Sequence, residues 1–298
     1  MEGLRNIRNI LEPVFPCLLD RVRRIIEDTE REYVSKKKEE KDSFLWEHTV
    51  HVASIARNIC LLEKEDPLLP VIGALFHDMG KFSQGRYHEK SIPEEHISAE
   101  MAENILAEEG LDESDIRHIV SGLVALYDEI TEKNRITDII HDADFLSKSG
   151  YLGVAQFFTK SALKGQNLFM SLSQSLSKEL TYASVLPENM RTRAGRMMAE
   201  QKSRDSLTFY LGLVRDLSDS AIARFNIKEE ELPCPQKKGS VLKIVLAIPE
   251  ACPECGDNLS PKFSFSQGIK CTELIAAISC AGCPVGYTVT FCLPEILC

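Results

Sequence analysis

Over residues 9–147 apolar positions recur every third or fourth residue between polar loops, the spacing of amphipathic helices. Residues 152–225 continue the pattern, with a break expected at Pro187. Helical character stops near Glu231, and the stretch containing Pro233, Pro235 and Gly239 reads as a linker. Beyond it, Val241, Leu242, Ile244, Val245, Leu246 and Ile248 predict a strand, and the remainder alternates like short strands rich in Cys, Pro and Gly. The expected fold class is mostly α: a helical domain over 1–231, a linker over 232–240 and a small β module over 241–298. The charged run 36–42 reads as a solvated loop or helix end.

Three helical stretches carry chemistry on apolar faces. At about 100° per residue, His48 falls near the centre of the face formed by Val52, Ile55 and Ile59, and His51 lies about 60° away at its edge. A buried imidazole needs a partner, so His48 is either a hydrogen-bonded core histidine or a ligand. The apolar run 71–76 delivers His77 and Asp78 side by side, with Gly80 as a helix stop. Placing an imidazole and a carboxylate together in a buried segment is costly without a cation. The apolar helix around Ile139, Ile140 and Leu146 carries Asp142 and Asp144, which periodicity does not separate.

Composition narrows the classes. The chain of 298 residues is 44% hydrophobic, enough for a sizeable core, and its formal net charge of -10 disfavours strong nucleic-acid binding. No apolar run follows the N-terminus, so a cytoplasmic protein is expected. Residues 274–293 carry no charge, but Gly282, Pro284 and Gly286 near the middle make them two strands around a turn and not a membrane helix. Eight of ten cysteines lie at or beyond Cys234, which suggests metal before disulfides.

His48, then His77 with Asp78, then Asp144 within Ala143, Phe145 and Leu146, resemble the HD superfamily of metal-dependent phosphohydrolases. The likeness covers roughly residues 40–225 and continues through Gly150, Tyr151 and Gly153 and through Thr192, Ala194 and Gly195. It implies that His48, His77, Asp78 and Asp144 hold one divalent metal. Such an N/O site suits Mn, Fe, Co, Ni, Zn or Mg. The activity implied is hydrolysis of a phosphoester or phosphoanhydride bond in a nucleotide by a metal-bound hydroxide. Asp78 would also orient the attacking group. Lys81 would either hold a phosphate oxygen or form a solvated cap. His96 matches a family histidine that lines the pocket or helps a second metal; otherwise it is a surface residue. Asp142 would orient a ligand or water, or be a solvated carboxylate. The two-metal branches carry a histidine where this chain has Leu126, and His118 stands eight residues too early, so one metal is expected. His88 reads as solvated.

Cys252 with Cys255 and Cys280 with Cys283 form paired Cys-x-x-Cys turns, the arrangement of a closed tetrahedral zinc site or else of two redox or disulfide pairs. The module looks like a zinc ribbon, and zinc would supply much of its folding energy, about 10–16 kcal/mol. Cys271, Cys292 and Cys298 read as packed residues, and Cys17 and Cys60 as helix-core residues. Lys243, Lys262 and Lys270 are outnumbered by acids in the module, so a protein partner, a lid or structural support fits better than a phosphate backbone. The expected partner of the helical domain is a phosphorylated small molecule. The competing reading is a metal-bound but inactive sensor whose ribbon recruits a protein.

Overall fold

The computed structural model describes residues 2–36, 44–85, 94–126, 132–163, 165–235, 239–267 and 272–292. His88, Lys270, Cys271, Cys298 and most of the charged run 36–42 lie outside these residues, as does the side chain of Cys292. The chain divides into two compact units, Met1–Ser147 with Met190–Gly195, and Lys148–Asn189 with Arg196–Cys298.

The first unit contains α1 (Glu2–Leu11), α2 (Leu18–Lys36), α3 (Leu45–Glu63), α4 (Leu68–Phe76), α5 (Glu94–Glu108), α6 (Glu113–Val124) and α7 (Arg135–Ser147). Its centre is α4, in which every residue from Pro70 to Phe76 is buried. Each large apolar side chain so enclosed contributes about 1.5–3 kcal/mol. Helix α3 turns its Val52, Ile55 and Ile59 face inward, and α7 buries Ile136, Ile139 and Ile140. Gly73 lets α4 and α7 approach closely: a Cβ there would stand 2.7 Å from Ile140 Cδ1 and 3.1 Å from Ile136 Cγ2. The start of α3 is held by Glu30, 2% exposed, which accepts the amides of Phe44 at 3.2 Å and Leu45 at 3.3 Å. Asn134 Oδ1 caps α7 by accepting the Thr137 amide at 2.9 Å. These caps set the entry points of the two helices that carry the candidate site residues His48 and Asp144.

The second unit contains α8 (Gly150–Leu163), α9 (Leu168–Asn189), most of α10 (Arg193–Asp219), and strands β1 (Phe225–Pro233), β2 (Val241–Pro249), β3 (Leu259–Gln267), β4 (Thr272–Cys280) and β5 (Gly286–Cys292). Helix α9 runs through Pro187 to Asn189; in the last turn the missing N–H costs one bond only. The strands form two antiparallel sheets, β1-β2 and β3-β4-β5. Within the uncharged stretch, residues 274–280 belong to β4 and 286–292 to β5, and among the described residues no helix is long and apolar enough to cross a membrane.

The boundary near residue 231 differs from the linear reading. Phe225 pairs with Pro249 and Pro233 with Val241, so strand β1 runs through residue 231 to Pro233 and is paired along its length with β2. Strand β2 has two buried faces. Leu242, Ile244, Leu246 and Ile248 join Leu274, Ala276, Ile278, Val289 and Phe291 in one core. Ala247 and Val245 pack with Leu172, Leu176, Leu180 and Tyr210 in another. On α9, Ser177 Oγ and Thr181 Oγ1 accept the Ala247 and Val245 amides, each at 2.9 Å, and so satisfy the edge that β1 leaves open. A chain ending at Glu231 removes β2 from both cores. It is expected to aggregate or melt well below the full-length protein in a thermal scan; an unshifted midpoint would show that the helices do not need the strand.

Candidate metal centres

His48, in the first turn of α3, is 6% exposed, and His77, at the C-terminal cap of α4, is 2% exposed. The His77 Nδ1 lies 2.7 Å from the Ala74 carbonyl. A carbonyl only accepts, so the proton sits on Nδ1 and Nε2 is bare. His48 Nδ1 faces Ser147 Oγ at 3.5 Å, and that hydroxyl gives its own proton to the Asp144 carbonyl at 2.7 Å. The same logic leaves His48 Nε2 bare. Burial pushes the His48 pKa down, against the pull of Asp144 and Asp78, which favours the neutral, ligating form.

The bare nitrogens converge. His48 Nε2 stands 3.3 Å from His77 Nε2, 3.5 Å from Asp78 Oδ2 and 3.3 Å from Asp144 Oδ1. His77 Nε2 stands 3.6 Å from Asp78 Oδ2. Donors about 2.1 Å from a shared ion stand about 3.0–3.4 Å apart. Donor atoms of His48, His77 and Asp78 all lie within 4.8 Å of one another, and Asp144 joins them through its contact with His48. Two lone pairs and a carboxylate so close repel unless a cation lies among them, so the donor set fits a divalent metal. Although His77 and Asp78 are adjacent in sequence, both reach the cluster because they sit at the helix end. Burial raises the Asp78 pKa, but the Lys81 ammonium at 2.7 Å and the two imidazoles outweigh it and hold the carboxyl below the usual range.

Residues 45–146 match the family model of the HD domain. This chain carries an HD domain. Among solved structures, YpgQ of Bacillus subtilis in complex with ADP has a TM-score of 0.50 at 19% identity, over 68% of this chain and 96% of that one. A predicted HD superfamily hydrolase from an uncultured Thermotogales bacterium has a TM-score of 0.46 at 21% identity, over 68% of this chain and 91% of that one. An HD-superfamily hydrolase from Bacillus thuringiensis has a TM-score of 0.48 at 18% identity, over 67% of this chain and 98% of that one. At 19% identity the likeness to YpgQ is one of fold. No curated protein matches the chain.

The other expected site residues of the HD domain separate. Lys81 is no solvated cap: its side chain is 19% exposed and paired with Asp78. Gly80 does not stop the helix through a left-handed turn. It is needed for close approach, since a Cβ would stand 2.6 Å from the Glu94 carbonyl, and its amide donates to Ser98 Oγ at 2.9 Å. His96 lies exposed in the first turn of α5 and is not brought into the cluster. His118 is also exposed, and Leu126 is 1% exposed, inside the core.

Asp142 is neither solvated nor turned to the ligand set. It is fully buried and accepts the Arg191 amide at 2.9 Å, the Thr192 amide at 2.7 Å and His141 Nδ1 at 3.0 Å. Glu63 accepts the Ala194 amide at 2.6 Å. Two carboxylates thus satisfy amides at the start of α10. Gly195 makes room for this: a Cβ would stand 2.2 Å from Asp142 Oδ2. The sequence signal was the family likeness running through Thr192, Ala194 and Gly195, which names no partner.

In the second unit Cys252, Cys255, Cys280 and Cys283 gather their sulfurs within 4.8 Å of one another. The Sγ separations are 3.6 Å for Cys252–Cys283, 3.3 Å for Cys255–Cys280 and 3.5 Å for Cys255–Cys283. Zinc–sulfur bonds of about 2.3 Å place tetrahedral thiolates about 3.8 Å apart, so the cluster fits zinc. Each pair lies on a tight turn: Gly256 at φ +79° donates to the Cys252 carbonyl at 2.9 Å, and the Cys280 amide donates to Val285 at 3.0 Å. Backbone amides of Asp257, Gly282 and Val285 point at Cys255, Cys280 and Cys283. The Gly282 amide, 3.4 Å away, helps bring the Cys280 thiol down to about 7. Two readings are corrected here. Cys234 is disulfide-bonded, so not every cysteine of this region is left to a metal, and Cys17 is exposed ahead of α2 and not in a helix core. Cys60 is buried in α3 as expected.

Proposed function

We propose that the HD domain hydrolyses a phosphoester or phosphoanhydride bond of a nucleotide with one divalent metal held by His48, His77, Asp78 and Asp144, and that the cysteine cluster holds a structural zinc. The observation that carries the reading is the convergence of the two bare imidazole nitrogens and the Asp78 carboxylate within 4.8 Å of one another, with Asp144 Oδ1 3.3 Å from His48 Nε2. An ion there would lower the pKa of a bound water, to about 7 in favourable zinc cases. The side chains supply the rest. His77 and His48 are fixed in one tautomer by Ala74 and Ser147, and Lys81 beside Asp78 offers a point charge to a phosphate oxygen. ADP, bound by YpgQ, carries a bond of the proposed class. The test is a screen of nucleoside mono-, di- and triphosphates and cyclic nucleotides with each candidate metal. Turnover that EDTA abolishes and added metal restores is expected; no turnover across the set would overturn the reading in favour of a sensor.

A further inference from the structure

One buried titratable group of the HD domain stands outside the ligand set. His141, one turn before Asp144 on α7, is 7% exposed, and its ring stacks on Phe145 with centroids 4.5 Å apart. Its Nδ1 lies 3.0 Å from Asp142 Oδ1. Asp142 also accepts two backbone amides, which hold it as a fixed acceptor, so the imidazole proton sits on Nδ1. No hydrogen bond to Nε2 is present among the described residues. Residues three apart on a helix are neighbours, so His141 borders Asp144, and the Asp144 charge acts on the ring. A buried imidazole with one nitrogen locked to a carboxylate and the other bare, beside a metal-ligand carboxylate, has the arrangement of an oriented base.

Building on the hydrolase reading above, we infer that His141 is a catalytic residue whose Nε2 takes the proton of the hydrolytic water, with Asp142 as its positioning partner. The water O–H bond breaks and its proton moves to Nε2 while the oxygen forms the new bond to phosphorus. The bond from phosphorus to the leaving oxygen breaks with its electron pair, and that oxygen takes the proton back from Nε2. Asp142 holds the transient imidazolium through Nδ1–H.

A purely structural role would need only the bond to Asp142. His141→Asn separates the two, because the Asn amide nitrogen can occupy the Nδ1 position while nothing stands at Nε2. The variant is expected to keep its melting midpoint and metal content and to lose about 100-fold or more in kcat, with KM little changed. A second readout needs no substrate: nitrogen NMR of the histidines in the full-length, Zn²⁺-loaded protein, titrated with inorganic phosphate. The His141 Nε2 resonance is expected to move. Activity of His141→Asn within about threefold of the parent, or an Nε2 resonance indifferent to phosphate, overturns the inference. A parent protein inert on every nucleotide whose Nε2 still responds would sink the hydrolase reading and leave the contact standing. Should His141→Asn fail to fold, the phosphate response of the parent decides.

Discussion

Asp78→Ala is expected to abolish divalent-dependent hydrolysis, with a loss of at least about 1,000-fold, the scale seen when one member of a catalytic set is removed. Asp78 Oδ2 is the point where both imidazoles and Lys81 meet, at 3.5 Å from His48, 3.6 Å from His77 and 2.7 Å from Lys81. Removing it takes a ligand from the ion and the partner from Lys81 at once. Helix content by circular dichroism should stay nearly intact, because α4 is held by Pro70–Phe76 and not by the residues at its end. His48→Ala, His77→Ala and Asp144→Ala should behave alike, since the four act as a unit. His96→Ala and His118→Ala should change little, both side chains being exposed. Full activity in Asp78→Ala would place the catalytic site elsewhere. Total loss in His96→Ala together with loss of a second metal would overturn the one-metal reading.

Cys252→Ser combined with Cys283→Ser is expected to remove about one zinc per chain, zinc that in the parent survives mild EDTA while the HD metal exchanges. The effect on stability should be large. In isolated small modules such a site is worth about 10–16 kcal/mol. Here the β3-β4-β5 sheet also shares its core with Leu242, Ile244, Leu246 and Ile248 of β2, which offsets part of the loss. Because β2 also packs on α9, melting of the sheet should lower the thermal midpoint of the α8–α10 helices as well. Elemental analysis and a thermal scan check both points; unchanged zinc in the double variant would refute the ribbon.

The candidate metal donors were legible in the sequence because each leaves a local trace. His48 sits in the middle of an apolar stripe, His77 and Asp78 end an uncharged run, and paired Cys-x-x-Cys turns have a spacing that suits one ion. A polar group among apolar neighbours costs free energy unless something compensates it, and that cost can be read along the chain. Other features depended on partners far away in sequence. Asp142 and Asp144 look alike on the helix; only the amides of Arg191 and Thr192, some fifty residues on, make one a structural anchor and leave the other near His48. His96 carried a family likeness, but the orientation of α5 leaves it exposed. Lys81 could not be told from a solvated cap until its partly buried pairing with Asp78 was known. Strand β1, with Glu229, Glu230 and Glu231 in a row, has weak strand propensity of its own. Its conformation comes from pairing with β2, whose two apolar faces are enclosed by different cores. Periodicity fixes which face of an element is apolar; what that face meets, and which polar group finds its partner there, is a property of the packed chain.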